Sequence, residues 1–230
     1  MSFQDQLVAR TTSERAFLLA APVIQRALAG QITRETYIAF LTQAYHHVRH
    51  TVPLLMAVGS RLPDRLMWLQ PQLIHYVEEE QGHEQWILND IEAAGGDRLS
   101  AAQSQPDIAT SAMVAFAYDM VARRNPAGFF GMVHVLEGTS VALAVRAADR
   151  MQAALGLPTR AFTYLRSHGT LDQEHVQHLA GILERFDCDE DREAVIACAQ
   201  SIYWLYGSMF HRLENTAATR EPDAEARKVA

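Results

Sequence analysis

Hydrophobic residues recur along most of the chain at the three- and four-residue spacing of amphipathic helices. Strand signals are nearly absent, because there is no alternating run of β-branched residues and no Asn-Gly hairpin turn. The pattern predicts eight helices, at about residues 13–28, 34–58, 66–94, 106–124, 127–155, 159–167, 171–186 and 189–215. We therefore expect an all-α, single-domain bundle of seven to eight helices around one core.

Capping residues and helix breakers set the ends of these helices. Thr11 and Glu14 have the spacing of a capping box ahead of the first helix, and Thr33 is a good N-cap for the second. Pro53 lies inside the second helix and Pro71 inside the third, so each is expected to kink or break its helix.

Composition and charge exclude several classes of protein. The chain has 230 residues, of which 49% are hydrophobic and 20% are charged, which is typical of a globular domain rather than a disordered chain. A net charge of −7 without a long basic run argues against nucleic acid or a membrane surface as a partner. No apolar run approaches the length of about 18 residues that a membrane span needs. We expect one helical domain over residues 1–215 and a frayed tail over 216–230.

The cysteines and the N-terminus indicate where the protein works. Cys188 and Cys198 lie ten residues apart in a helical stretch, and the N-terminal residues contain no apolar signal segment. Both features are typical of a cytoplasmic protein with reduced thiols. The aromatic run at 203–210 favours helix packing or a dimer contact, and we expect a homodimer.

Titratable residues interrupt the apolar faces of several helices. Successive helical residues are rotated by about 100°, so positions i, i+3, i+4 and i+7 share a face. The residues on such faces are Glu80 and His83 on the third helix, Glu137 on the fifth, and His168, Asp172 and His175 on the seventh. His47 has a similar position on the second helix, Tyr76 lies on the face of the third, and Glu79 lies at its edge.

These carboxylates need a positive partner if they are buried. An uncompensated buried carboxylate costs several kcal/mol, and the arginines fall near helix ends or on other faces. Glu80-x-x-His83 and Asp172-x-x-His175 each place a carboxylate and an imidazole one turn apart, as in bundles that hold two metal ions. Mixed oxygen and nitrogen ligands without a thiolate favour iron or manganese over structural zinc.

The remaining polar residues near these faces leave alternatives open. The position of His47 is equally consistent with lining a pocket, with a hydrogen bond to a metal ligand, and with plain packing. Glu79 is an alternative to Glu80 as the first acid ligand. Tyr76 is a candidate pocket residue. The histidines predicted to lie off the apolar faces are His46, His50, His75 and His178.

At these positions the sequence resembles the haem-oxygenase-like di-iron oxidases, which share their fold with thiaminase II and pyrroloquinoline-quinone synthase. The resemblance extends over residues 13–215. The matching motifs are "EQGH" with Glu80 and His83, "HVLEG" with Glu137, and "HGTLDQEH" with His168, Asp172 and His175. Some members place the first acid seven residues before the histidine, where this chain has Tyr76, and others use Glu-x-x-His, as here.

The resemblance implies a haem-oxygenase-like bundle and an enzyme that uses O2 to oxidise a small metabolite such as an amino acid, an amine or a fatty acid. The implied cofactor is non-haem iron, as two Fe(II)/Fe(III) ions, with manganese as the alternative metal. The six motif residues would be both the metal ligands and the catalytic residues. Two other functions are open: a metal-independent, quinone-synthase-like oxidase of the same fold, and a non-enzymatic regulatory or scaffold bundle. A nucleophilic cysteine is disfavoured, because neither cysteine lies on a helix assigned to the pocket.

Overall fold

The computed structural model describes the backbone of residues 1–218, and the side chains of that range except those of residues 168–175 and 214–218. Within this part the chain is all-α, with twelve α-helices and no strand. The helices are α1 (Phe3–Arg10), α2 (Thr12–Leu19), α3 (Pro22–Ala29), α4 (Arg34–Val48), α5 (Thr51–Gly59), α6 (Gln70–Glu80), α7 (His83–Ala93), α8 (Arg98–Gln103), α9 (Ile108–Arg123), α10 (Phe129–Leu155), α11 (Thr163–Glu184) and α12 (Asp189–Ala218). The all-α fold class is confirmed, although the described part has more helices than predicted, because three of the predicted helices are divided.

The N-terminal helix differs from the prediction in its position and in its cap. Residues 13–28 were predicted as one helix, but α2 ends before Ala20 and Pro22 begins α3. The capping box predicted at Thr11 is wrong, because the Thr11 hydroxyl donates to the backbone carbonyl of Leu7 at 2.8 Å and does not cap α2. The capping box of this region lies ahead of α1, where Ser2 and Asp5 bond reciprocally.

The predicted second helix is divided into α4 and α5. Thr33 caps α4 as predicted, by accepting a hydrogen bond from the backbone of Thr36 at 3.2 Å. The helix breaks at Arg49 and His50, so that Pro53 falls in the first turn of α5. A proline is tolerated there because the first-turn N–H groups have no partner within the helix.

The predicted third helix is divided at the candidate site. A 3-10 turn at Asp64–Leu69 precedes α6, which ends at Glu80, and α7 begins at His83. Between the two helices Gly82 has a φ of 90°, in the left-handed region that a residue with a Cβ rarely adopts. Glu80 and His83 are therefore brought together by a turn, and not by the continuous helix that their spacing predicted.

A long central helix and a second long helix packed on it form the middle of the bundle. Helix α10 has 27 residues and ends at Leu155, where the sequence predicted its end, and the next residue, Gly156, has the φ of 63° of a left-handed C-cap. Helix α11 combines the two helices predicted at 159–167 and 171–186, and it continues through Gly169 without a break. Helix α11 packs along α10 and also contacts α7, and α12 and α3 also contact α10.

Gly131 allows the closest approach of α10 to α12. A Cβ atom added at Gly131 would lie 2.2 Å from the carbonyl oxygen of Val195 and 2.8 Å from the amide nitrogen of Ala199. Real Cβ atoms do not approach other heavy atoms so closely, so only glycine fits at this crossing.

Two predictions concern the C-terminal tail and the absence of a membrane span. Helix α12 is described as far as Ala218, and most of the predicted tail at 216–230 lies outside the described residues. In the described part, the stretch Pro126–Leu155 is long and apolar enough to cross a membrane, but half of its most apolar window is buried within the fold. A core helix has the same composition.

Candidate metal centre

A cavity of about 150 Å³ lies among α3, α4, α5, α6, α10, α11 and α12. Most of the side chains that line it are aliphatic or aromatic. The lining side chains that carry a polar group are those of His47, Thr51, Tyr76, Glu80, Glu137, Thr139, Ser140, Tyr164 and Tyr206. An apolar cavity with a few convergent polar groups is the usual form of a small-molecule site.

Glu80 and His83 form a buried pair at the break between α6 and α7. Nδ1 of His83 lies 3.0 Å from Oε2 of Glu80, where the imidazole N–H donates to the carboxylate. The ring of Trp86 lies against the ring of His83, with 4.1 Å between the centroids and an angle of 30° between the planes. The imidazole is therefore held by a carboxylate at one ring nitrogen and by an aromatic face.

Glu137 brings a second buried carboxylate to the same cavity from α10. The exposed fraction is 8% for Glu137 and 9% for Glu80, and both residues line the cavity. Carboxylates are rarely so buried unless they are hydrogen-bonded, paired or bound to a metal. The sequence prediction that these acids face inward therefore agrees with the structure.

The other three predicted ligands lie on α11. The side chains of His168, Asp172 and His175 fall outside the described residues, so their assignment stays a prediction. The helix that carries them contacts both α7 and α10, which carry His83 and Glu137. Within the described side chains alone, no three histidine, cysteine, aspartate or glutamate residues are grouped closely enough to hold a metal ion.

The three candidate pocket residues have different positions. His47 and Tyr76 are buried and line the cavity. The carboxylate of Glu79 instead lies 3.4 Å from Nε2 of His75, on a partly exposed surface of α6. Glu80 and not Glu79 is thus the acid on this helix that lines the cavity.

His46 is a correction to the sequence analysis, which placed it off the apolar face. It is 4% exposed, and its Nε2 lies 2.8 Å from the hydroxyl of Ser104. The reason is that α4 is covered on more than one side, by α7, α8, α9 and α12. His50 contacts the Tyr118 hydroxyl at 3.2 Å, and burial lowers the pKa of both histidines.

Thr51, Thr139, Ser140 and Tyr206 line the cavity but were not predicted as site residues from the sequence. Hydroxyl residues and tyrosines on half-buried helix faces are common, so nothing in the local pattern distinguishes these four. Their common cavity results from the way distant helices pack.

A buried carboxylate, Asp90, anchors the beginning of α11. Its Oδ2 accepts a hydrogen bond from the backbone N–H of Tyr164 at 2.8 Å, and the residue is fully buried. Burial raises the pKa of Asp90 from 3.8 to about 6. The helix that carries the His-x3-Asp-x2-His motif therefore begins at a group that titrates near neutral pH.

We expect Asp90→Asn to flatten the dependence of stability on pH. Since the pKa in the folded state is above that in the unfolded state, the stabilising contribution of Asp90 is complete below about pH 4 and is lost as the pH rises through about 6. The shift corresponds to about 3 kcal/mol. Asparagine keeps the acceptor for Tyr164 without the charge. Between pH 4 and 7, the free energy of unfolding measured with urea should fall by about 3 kcal/mol less in Asp90→Asn than in the wild type.

The matched control for this experiment is Asp64→Asn, which changes an exposed aspartate. It should reproduce the wild-type dependence on pH. An Asp90→Asn protein whose stability declines as steeply as that of the wild type would show that Asp90 does not titrate in this range.

Most of the chain matches one known protein family in sequence. Residues 38–207 match the model of a family described as iron-containing redox enzymes. No functionally curated protein is significantly similar to the chain in sequence. The matched segment includes all six predicted ligands.

Solved structures show the same fold. A domain of unknown function with a haem oxygenase-like fold from Shewanella denitrificans is 23% identical, with a TM-score of 0.87, and the match covers 100% of this chain and 99% of that chain. A TenA homologue from Pseudomonas syringae pv. tomato is 9% identical, with a TM-score of 0.76 and 93% of each chain covered. Haem oxygenase from Leptospira interrogans is 16% identical, with a TM-score of 0.75, and 92% of this chain and 100% of that chain are covered. The predicted haem-oxygenase-like fold is therefore confirmed.

Proposed function

Because this chain belongs to the family of iron-containing redox enzymes, we propose that it holds non-haem iron as a di-iron centre and uses O2 to oxidise a small metabolite. The metabolite would be an amino acid, an amine or a fatty acid. One observation carries the proposal: Glu80 and Glu137 bring two buried carboxylates from different helices to one cavity, and an imidazole contacts the first of them.

The donor groups in the cavity fit iron. The described side chains that line it include two carboxylates and an imidazole, those of Glu80, Glu137 and His47. Carboxylate oxygens together with imidazole nitrogens suit iron or manganese. The contact between His83 and Glu80 places an imidazole directly beside the first of these carboxylates.

The proposed ligands divide into two groups. Glu80, His83 and Glu137 would hold one iron, and His168, Asp172 and His175 would complete the pair. Iron with an open coordination position supplies O2 binding and the electrons for oxidation. The protein itself provides the rest of the site. Aliphatic side chains line the cavity and exclude water. The turn at Gly82 brings Glu80 and His83 together, and the ring of Trp86 packs against the imidazole of His83.

The alternatives differ in what they need from the cavity. A nucleophilic cysteine is not supported, because neither Cys188 nor Cys198 lines it and burial raises the pKa of Cys198 to about 12. A metal-independent oxidase would need the histidines but no metal, and a scaffold bundle would need neither.

We further propose a cytoplasmic homodimer without a nucleic-acid or membrane partner, which sedimentation and localisation of a tagged chain would test.

Metal reconstitution tests the proposed function. Metal-free protein should take up about two Fe(II) per chain under anaerobic conditions, as two-metal bundles do. Exposure to O2 should then give a transient absorbance change and consume O2. Protein loaded with Mn(II) is the control, because it should fill the same site without the same absorbance change.

Three results would contradict the proposal. Iron uptake no greater than that of an unrelated helical protein would show that the protein has no specific metal site. Iron uptake without any reaction with O2 would leave a metal-binding bundle that is not an oxidase. Oxidation of substrate by metal-free protein would favour the metal-independent alternative.

A further inference from the structure

A second crevice lies between α4 and α9, apart from the cavity of the proposed iron site. His46 and His50 line it together with residues of α9, among them Thr110 and Ser111. None of its described lining residues also lines the cavity, which receives His47 from α4. Neighbouring residues of α4 therefore face two different spaces.

His46 and His50 are one helical turn apart. His46 belongs to the last turn of α4, and His50 follows the end of that helix at Val48. The backbone at Arg49 and His50 keeps the right-handed helical conformation, with φ angles of −57° and −98°. Residues four apart in such a turn are neighbours, and two histidines at this spacing are a familiar pair of metal ligands.

The hydrogen bonds of His46 show which of its ring nitrogens has the lone pair. Nε2 lies 2.8 Å from the hydroxyl oxygen of Ser104. That hydroxyl donates its only proton to the backbone carbonyl of Ala101, at 2.8 Å. Ser104 therefore accepts a hydrogen bond from Nε2–H of His46. A neutral imidazole with its proton on Nε2 has its lone pair on Nδ1.

His50 is held in a similar way by a residue of α9. Its Nδ1 lies 3.2 Å from the hydroxyl of Tyr118, and the two rings meet edge to face. When Nδ1 donates to this hydroxyl, the lone pair of the imidazole is on Nε2. Histidines that bind metal ions almost always donate their other ring N–H to an oxygen acceptor, which fixes the ring. Both imidazoles have an oxygen in the position of that acceptor.

Both imidazoles are neutral at physiological pH. Burial, and after it the nearby charge of Arg49, lowers the pKa of His46 and of His50 below the usual value for histidine. The described residues that line the crevice include no aspartate or glutamate, so neither imidazole has a carboxylate there to neutralise. Neutral imidazoles keep the lone pairs that a metal ion needs.

We propose that His46 and His50 form a second metal site, which binds a divalent ion such as Zn²⁺ through Nδ1 of His46 and Nε2 of His50. Imidazole suits zinc, copper and nickel, whereas magnesium and calcium prefer oxygen ligands. Two protein ligands leave the other positions of the ion to water, so the ion exchanges with solvent. The site is separate from the proposed iron centre and needs neither iron nor O2.

Zinc titration of the metal-free protein tests the site. His46→Gln and His50→Gln should each weaken one zinc-binding step by about 100-fold or more, since loss of an outer partner of a ligand already costs 10- to 100-fold. Zinc that enters the iron cavity is common to all these proteins, so it cancels when variants are compared with the wild type. Isothermal titration calorimetry at neutral pH measures the step, and Mg²⁺ should show no step that depends on these histidines.

Ser104→Ala tests the orientation of His46 without removing either imidazole. It deletes the acceptor for Nε2–H of His46, so zinc binding should weaken by about 10- to 100-fold. Wild-type affinity in this variant would contradict binding through Nδ1. His75→Gln is the control, since it changes an exposed histidine of α6 that does not line the crevice, and it should bind zinc as the wild type does.

His50→Gln decides the matter if His46→Gln does not fold by circular dichroism, because His50 is only half-buried. The proposal is overturned if a folded variant of either histidine binds zinc as tightly as the wild type, or if His75→Gln loses the same step. A zinc step that needs His46 and His50, in a protein that takes up no iron, would uphold this site and contradict only the proposed function. Iron uptake and O2 consumption without such a zinc step would contradict only this site.

Discussion

Glu137→Ala should weaken Fe(II) binding by more than about 100-fold. Loss of an outer partner of a metal ligand already costs 10- to 100-fold in metal affinity, and loss of a ligand itself should cost more. Glu137 is 8% exposed and is the acid that α10 contributes to the cavity. Titration of the anaerobic, metal-free variant with Fe(II), followed by metal analysis after gel filtration, measures the effect.

The same titration distinguishes the other acids of the site. Glu80→Ala should lose iron as Glu137→Ala does, whereas Glu79→Ala should not, since Glu80 and not Glu79 lines the cavity. His175→Ala should also lose iron if α11 supplies ligands. Glu78→Ala changes an exposed acid on α6 and is the control. If Glu137→Ala and His175→Ala bind iron as well as the wild type, the ligand assignment is wrong.

Gly131→Ala should destabilise the fold by about 4 kcal/mol or more. The added Cβ would lie 2.2 Å from a carbonyl oxygen and 2.8 Å from an amide nitrogen of α12. These are backbone atoms, so the clash cannot be relieved by rotating a side chain, and α10 and α12 must separate. Overpacking usually costs 1–3 kcal/mol, and larger losses occur where the backbone has to move. Urea denaturation at neutral pH measures the change.

Gly138→Ala is the matched control on the same helix. A Cβ at Gly138 would meet nothing within 4 Å, so alanine should be neutral or should stabilise the helix by up to about 1 kcal/mol. A Gly131→Ala protein as stable as Gly138→Ala would contradict the close crossing of α10 and α12.

The candidate site shows why local periodicity predicts some residues and misses others. Glu80 and His83 were predicted to share a face because they are three residues apart, and the structure does bring them into contact. The cause differs, because a turn at Gly82 replaces the continuous helix. Spacing in sequence therefore predicted the neighbours correctly but not the backbone that joins them.

His46 shows the opposite case. Its position on α4 is off the apolar stripe, yet it is buried against Ser104, which follows α8. Helix α8 has six residues, too few for a hydrophobic period to be recognised, and the sequence analysis did not include it. The sequence of a helix shows which of its faces is apolar. It does not show how many of its sides other helices will cover, because that depends on how those helices pack.

The sequence alone determined the all-α class, the cap at Thr33, the end of α10 before Gly156 and the inward position of Glu80 and Glu137. Each of these follows from residues within a few positions of one another, through helical periodicity, capping and the conformational freedom of glycine. Only the tertiary structure decided that these two carboxylates line one cavity and that apolar side chains of α3, α5 and α12 line it with them. Those features depend on close crossings such as the one at Gly131, which join side chains far apart in the chain.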